Sequence, residues 1–288
     1  MGKESVSEQE VLPKPIGYQS YFDQIDFSRS HEILAYQGTL GGVMRDLRKE
    51  LDKTDPASQD PYTRILHPAR IIRAVLDDKV VDPTPKSTDF IQQAVKAGME
   101  VYAGLDKAAL NSLVILEDDI QTNGKSSLFD TPLIQVDDVS TWRAMNPAYS
   151  RVSAELLARR TEGVSILFIP LAHGAVAVGM DIFLRYISLN GRNDSVFYPV
   201  RDSRHKLHDM GPRLTSEGIA YLRREAQGKE IVIFDEDVNT GVTLKDAHYF
   251  FGKNSVIGRE PITLTNNNYR QNLPEIDVII DDSFLSDL

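Results

Sequence analysis

The sequence predicts an α/β fold, a doubly wound parallel sheet in the C-terminal half preceded by a mainly helical N-terminal domain. Three observations carry that expectation. Between residues 165 and 280, short apolar runs alternate with helical stretches, the pattern of buried parallel strands covered on both faces. Before residue 160, apolar residues recur at three- and four-residue spacing, the signature of amphipathic helices. Pro-containing breaks at Asp55-Pro56, Asp60-Pro61 and Asp82-Pro83 to Pro85 divide those stretches.

Taken in order, residues 1–18 are polar, carry Pro13 and Pro15, and read as a disordered tail. Residues 19–150 form the helical domain, with Val43 to Leu51, Ala69 to Leu76 and Phe90 to Val101 in helical spacing. Leu113 to Leu116 and Leu133 to Val136 read as short strands within it. Residues 151–288 form the α/β core. Ser165 to Ile169 opens it as a continuous apolar strand, followed by a Gly/Ala-rich helix from Gly174 to Leu189. Ser195 to Arg201 is a second strand, Ser216 to Gln227 a helix, and Ile231 to Phe234 a third strand with a helix after Gly241. Ser255 to Ile257, or a longer run to Leu264, and Ile276 to Ile280 complete the series.

Composition narrows the classes. The chain has 288 residues, 41% of them hydrophobic and 26% charged, as a globular protein does. With no cysteine, a disulfide framework, a thiolate nucleophile and a Cys-ligated zinc are all excluded. The net charge of −10 disfavours nucleic acid or an anionic membrane as partner, since both reward a basic surface. No apolar run reaches a membrane span and none resembles a secretory leader. Val6 stands where N-myristoylation after Met1-Gly2 wants Ser or Thr. A cytoplasmic enzyme or binding protein is therefore expected.

The most informative stretch runs Ile231-Val232-Ile233-Phe234-Asp235-Glu236-Asp237-Val238-Asn239-Thr240-Gly241-Val242-Thr243-Leu244. Four apolar residues make a central strand, and an acidic pair stands at its carboxyl end, where open α/β sheets bind ligands. The turn from Asn239 to Thr243 opens a helix, so successive backbone N–H groups form an anion cradle. Gly241 lets the backbone come close to a phosphate, and Thr240 and Thr243 add hydroxyl donors. Carboxylates just before such a cradle suit a ligand with vicinal hydroxyls.

This run resembles the phosphoribosyl pyrophosphate (PRPP) signature of the type I phosphoribosyltransferases. By that resemblance the fold is of the phosphoribosyltransferase type, and Asp235 and Glu236 hold the ribose 2′- and 3′-hydroxyls. Asn239, Thr240, Gly241, Val242 and Thr243 then hold the 5′-phosphate. Mg²⁺ is the implied cofactor, held largely by the substrate, with Asp235 and Glu236 as its protein ligands. The chain departs from the family pattern twice. Asp237 stands where an apolar residue is usual, and Asn239 where Asp or Thr is common.

Two further segments fit the same resemblance. Ser165 to Gly179 is similar to the family's pyrophosphate loop, which implicates Ala172, His173 and Gly174, with Arg201 nearby, in holding the leaving group. His173 stands where many members have Arg or Lys. Arg201 to Arg213 concentrates Arg201, Arg204, Lys206 and Arg213 with His205 and His208, against only Asp202 and Asp209. It lacks apolar periodicity and carries Gly211-Pro212, so it reads as a loop. The family keeps its basic catalytic loop there, which makes Arg204 and Lys206 catalytic candidates beside Asp235 and Glu236.

Other patterns carry less. Gly124-Lys125-Ser126 lacks the upstream glycine of a phosphate-binding P-loop, with Asp119 in its place. His205 and His208 have no third metal ligand at convincing spacing. Asp77-Asp78, Asp118-Asp119, Asp137-Asp138 and Asp281-Asp282 read as solvated surface pairs, and Trp142 as a core aromatic. The function implied is transfer of 5-phosphoribose from PRPP to a nitrogenous acceptor with release of pyrophosphate. Two alternatives stay open: a non-catalytic PRPP- or nucleotide-sensing protein of the same fold, and an enzyme acting on another ribose phosphate. The base-binding hood is assigned to no segment, with the N-terminal half and Pro274 to Phe284 both available, and a homodimer is left open.

Overall fold

The computed structural model describes residues 18–27, 31–136, 138–202, 209–238, 241–252, 256–266 and 278–279. In chain order its regular elements begin with β1 (Tyr36–Thr39), α1 (Leu40–Leu51), α2 (Pro61–Val81), α3 (Ser87–Tyr102) and α4 (Asp106–Thr122). Strand β2 (Pro132–Gln135), α5 (Val139–Ala144) and α6 (Pro147–Arg160) follow. The second half runs β3 (Ile166–Ala172), α7 (Ala175–Asn190), β4 (Val196–Phe197), β5 (Val200–Arg201) and α8 (Ser216–Glu225). It closes with β6 (Glu230–Asp235), α9 (Val242–Phe251), β7 (Ile262–Thr265) and β8 (Val278–Ile279). Among the described residues, no helix is long and apolar enough to cross a membrane.

Local chemistry sets the helix starts. Asp60 caps α2 through the Tyr62 and Thr63 N–H groups, with Pro61 in the first turn, where its missing N–H has no helical partner to lose. The Asp60-Pro61 break is thus a helix start. Asn146 and Pro147 open α6 in the same way, and Asp138 caps α5.

The sheet is parallel at every pairing, in the order β4-β3-β6-β7-β8, with β5 also on β3. All seven residues of β3 are buried, as a central strand covered on both faces requires. With the usual right-handed crossovers, this strand order puts α7 on one face and α8 and α9 on the other. Helix α7 is buried nearly all round, because it lies between the sheet and helices α2, α3 and α6. One apolar core therefore runs from Phe22 and Leu34 through α1–α4 into the sheet, and residue 150 falls inside α6. The small antiparallel ribbon β1–β2 sits apart from the main sheet.

Three local expectations are corrected. Leu113 to Leu116 is not a strand; it lies within α4, with Leu113 and Leu116 buried one turn apart and Val114 and Ile115 exposed. The expected second strand is broken into β4 and β5 by Tyr198-Pro199, since Pro199 has no N–H for the ladder. Val256 and Ile257 are outside any strand; the next strand after β6 is β7, beginning after Pro261 and overlapping the end of the longer run to Leu264. Residues 1–17 of the expected tail and most of Pro274 to Phe284 lie outside the described residues; Tyr18, counted in that tail, is held by Asp181.

Candidate functional site

Chain direction reverses between β3 and β6: the connection from β3 leads outward to β4, that from β6 outward to β7. In open α/β sheets the crevice at such a switch point, beyond the strand carboxyl ends, is where ligands bind. The register pairs Pro170 with Phe234, which sets Ala172 and the following His173-Gly174 turn level with Asp235-Glu236. The Ala172–His173 peptide bond is cis.

The two sequence motifs meet here. Glu236 is buried, and its carboxylate occupies the space beside Gly174 so closely that a Cβ on Gly174 would overlap it. Thr141 Oγ1, from α5, donates to Glu236 Oε1 at 3.3 Å. Burial, followed by the adjacent Glu236 carboxylate, pushes the Asp235 carboxyl well above the usual range, and Asp237 and Asp202 add to the effect. Asp237 is raised to about 6, by burial first and by Asp138 second, with the Ser140 hydroxyl opposing.

Beyond the strand, Gly241 has φ +72°, a conformation that glycine adopts without strain, and its carbonyl accepts from Lys245 N–H at the start of α9. Val242 is exposed, Thr243 partly so, and no side chain among the described residues caps the helix. Asn239 and Thr240 lie outside the described residues, as do Arg204, His205, Lys206 and His208. The ends of that basic segment are pinned. Arg201 Nε donates to Asp209 Oδ2 at 3.1 Å, and Arg213 N–H donates to the Arg201 carbonyl at 2.8 Å.

The helical half supplies what sequence reading missed. Asp77, on α2, lies 2.9 Å from His173 Nε2, 3.7 Å from Arg201 and 3.9 Å from Arg73. Its neighbour Asp78 pairs with Lys125, which also binds Asp82. The expectation that Asp77-Asp78 is a solvated pair is therefore corrected. Asp138 is likewise a helix cap, accepting from Ser140 and Thr141 N–H at 3.0 and 3.2 Å; an Asp just before a helical stretch was the available signal. Trp142 is core, packed on Phe27 with ring centroids 4.8 Å apart.

A small cleft, partly open to solvent, lies between α2 and the His173-Gly174 turn. Arg70, Arg73, Gln135, Asp138, Thr141 and His173 supply its polar lining. The described residues contain no group of three or more side chains able to hold a metal. A Mg²⁺ ion would thus take one or two carboxylates from Asp235 and Glu236 and its other oxygens from substrate and water, the usual habit of this cation. No protein-family model matches the chain, and no curated protein matches it either.

Proposed function

We propose that the chain is a Mg²⁺-dependent phosphoribosyltransferase that moves 5-phosphoribose from PRPP to a nitrogenous acceptor. The observation that carries this reading is the seating of the Glu236 carboxylate against Gly174 at the sheet's switch point. It brings the acidic pair and the candidate pyrophosphate turn into one crevice. In the reaction an acceptor nitrogen forms a bond to ribose C1 while the C1–oxygen bond breaks, and pyrophosphate leaves with the electron pair. Asp235 and Glu236 accept hydrogen bonds from the ribose hydroxyls and fix the ring. The turn at Gly241 and the first N–H groups of α9 hold the 5′-phosphate, with Asn239, Thr240 and Thr243 as its further donors. Ala172, His173, Gly174 and Arg201 hold the leaving group, and Arg204 and Lys206 bring cations to the developing charge. Bound Mg²⁺ would supply further neutralisation of pyrophosphate.

The test uses the hydroxyls. Glu236→Gln keeps shape but removes a charge-assisted hydrogen bond of about 1.5–3 kcal/mol, roughly a ten- to hundred-fold loss for ribose 5-phosphate. Calorimetry should find that 2-deoxyribose 5-phosphate binds the wild type more weakly and loses less on mutation. Equal losses for both sugars would remove the ribose assignment.

One observation favours the sensor as a second reading. The candidate pyrophosphate-binding side chains His173 and Arg201 are already engaged by Asp77 and Asp209. Tight PRPP binding without turnover on any base would select it.

A further inference from the structure

Arg70 is an unusual cation. It projects from α2 into the cleft, is 6% exposed, and among the described residues makes no ion pair. Its guanidinium meets neutral partners instead. Nε donates to Gln135 Oε1 at 3.0 Å, NH2 donates to the Leu34 carbonyl at 3.1 Å, and NH1 lies 3.2 Å from His67 Nδ1. The Tyr36 ring lies 4.3 Å from its centre. His67 supplies no charge, since burial and then Arg70 itself lower its pKa to about 4.

One helical turn on, Arg73 lines the same cleft. Its NH2 donates to the Ile134 carbonyl at 3.3 Å, and its one acidic neighbour among the described residues is Asp77, at 3.9 Å. Asp77 is shared with His173 and Arg201. Asp138 also lines the cleft, but its Oδ1 takes up two backbone N–H groups of α5.

A buried guanidinium without a counter-charge is costly. Burial lowers the Arg70 pKa to about 10; Tyr36 opposes the shift and the like charge of Arg73 adds to it. The polar end of the cleft is thus built for an anion. The rest of its wall is Leu34, Leu66, Ala69, Met145 and Ala177, which suits a ring and not a hydrated polyanion such as pyrophosphate. The floor at His173 and Gly174 adjoins Glu236.

We propose that this cleft is the acceptor subsite, and that it takes a planar ring acid whose carboxylate sits on Arg70 and Arg73 while the ring lies against the apolar wall. That the bound acid is the acceptor rests on the phosphoribosyltransferase reading. That the cleft selects a ring carboxylate does not.

The experiment pairs each of three acids, benzoate, pyridine-3-carboxylate and pyrimidine-4-carboxylate, with its own carboxamide. Affinities for the full chain are measured by calorimetry beside ribose 5-phosphate and pyrophosphate. At least one acid should bind about tenfold or more tighter than its amide, as a charge-assisted bidentate contact gives. Arg73→Gln should abolish that preference and leave ribose 5-phosphate affinity unchanged. Because Arg70 variants risk misfolding, the second variant is Gln135→Glu, which sets a carboxylate beside Arg70 Nε. It should raise the melting temperature while removing acid binding, whereas a purely structural arginine would give the stability gain alone. Absence of an acid-over-amide preference throughout the series overturns the proposal. So does a pyrophosphate affinity that falls with Arg73→Gln more than acid affinity does. Failure of ribose 5-phosphate to bind, with acid selectivity intact, removes the transferase reading and leaves the ring-acid site standing.

Discussion

Gly174 and Glu236 occupy one space, and at the residue scale that overlap has a direct consequence. Gly174→Ala forces either the turn or the Glu236 carboxylate to move, so ribose 5-phosphate affinity should fall about tenfold or more if that carboxylate reads a hydroxyl. Circular dichroism should show the sheet still folded; unchanged affinity in the folded variant would detach Glu236 from the ligand. Asp237 gives a pH test. Its folded pKa, about 6, lies above its ordinary value near 3.8, so between about pH 4 and 6 the folded chain keeps a proton that the unfolded chain has lost. Stability therefore falls as pH rises through that window and levels off above it. Asp237→Asn should flatten the slope and stabilise the chain at pH 7 by roughly 1–2 kcal/mol, discounted for partial exposure. Urea titrations at pH 4 and 7 measure this, and a slope that survives the substitution assigns the proton elsewhere. At this scale the acidic pair was legible because strand, acids and turn are contiguous. Asp77, Arg70 and Arg73 were not, since only tertiary packing brings a helix about a hundred residues away to His173.

At the scale of elements, α2 is the piece whose role exceeds its pattern. Arg70, Arg73 and Asp77 recur at three- and four-residue spacing and so share one face, yet buried Arg64, His67, Arg70 and Lys79 blur any apolar stripe. Hydrophobic periodicity alone thus located only its centre, Ala69 to Leu76. The Leu113 to Leu116 misreading has a related cause: a β-branched run sits in a helix whose two buried leucines pack on its neighbours, and packing outweighs propensity. Strand β3 was legible because it is apolar throughout, and β6 because its four central residues, Ile231 to Phe234, are. Helix α2 makes its own prediction. Asp77 holds His173 and stands near Arg201 and Arg73, so Asp77→Asn should destabilise the chain by roughly 1–3 kcal/mol. The same substitution frees those side chains, so pyrophosphate should bind more tightly. Urea unfolding together with pyrophosphate calorimetry would decide; a loss of both stability and affinity would make Asp77 a support of the turn and not a competitor for it.

At the scale of the molecule, the helical half and the sheet are joined by the burial of α7. That helix presents apolar residues to the sheet on one side and to α2, α3 and α6 on the other, so neither half can keep its core dry without it. The contiguous core and the crossing contacts at Asp181 point the same way. Asp181 on α7 accepts from Ser20 at 2.5 Å and from Tyr18 at 2.8 Å and pairs with Arg185, tying the first described segment to the sheet's covering helix. The ligand crevice lies on this junction: α2 and α5 form one wall, and the β3 and β6 carboxyl ends the other. Two consequences follow for unfolding. The chain should unfold in one cooperative step, because opening the junction exposes both faces of α7 at once. Fluorescence of Trp142, the one tryptophan and a member of the helical half, should then trace the same urea curve as far-UV circular dichroism, which sees both halves. Ribose 5-phosphate, bound at the sheet's edge, should shift both curves equally by mass action, about 2.7 kcal/mol at a hundred times its Kd. A tryptophan transition that precedes the dichroism change, or that ignores the ligand, would mean the halves unfold independently. The proposed acceptor cleft would then be able to open without disturbing the turn at Gly241.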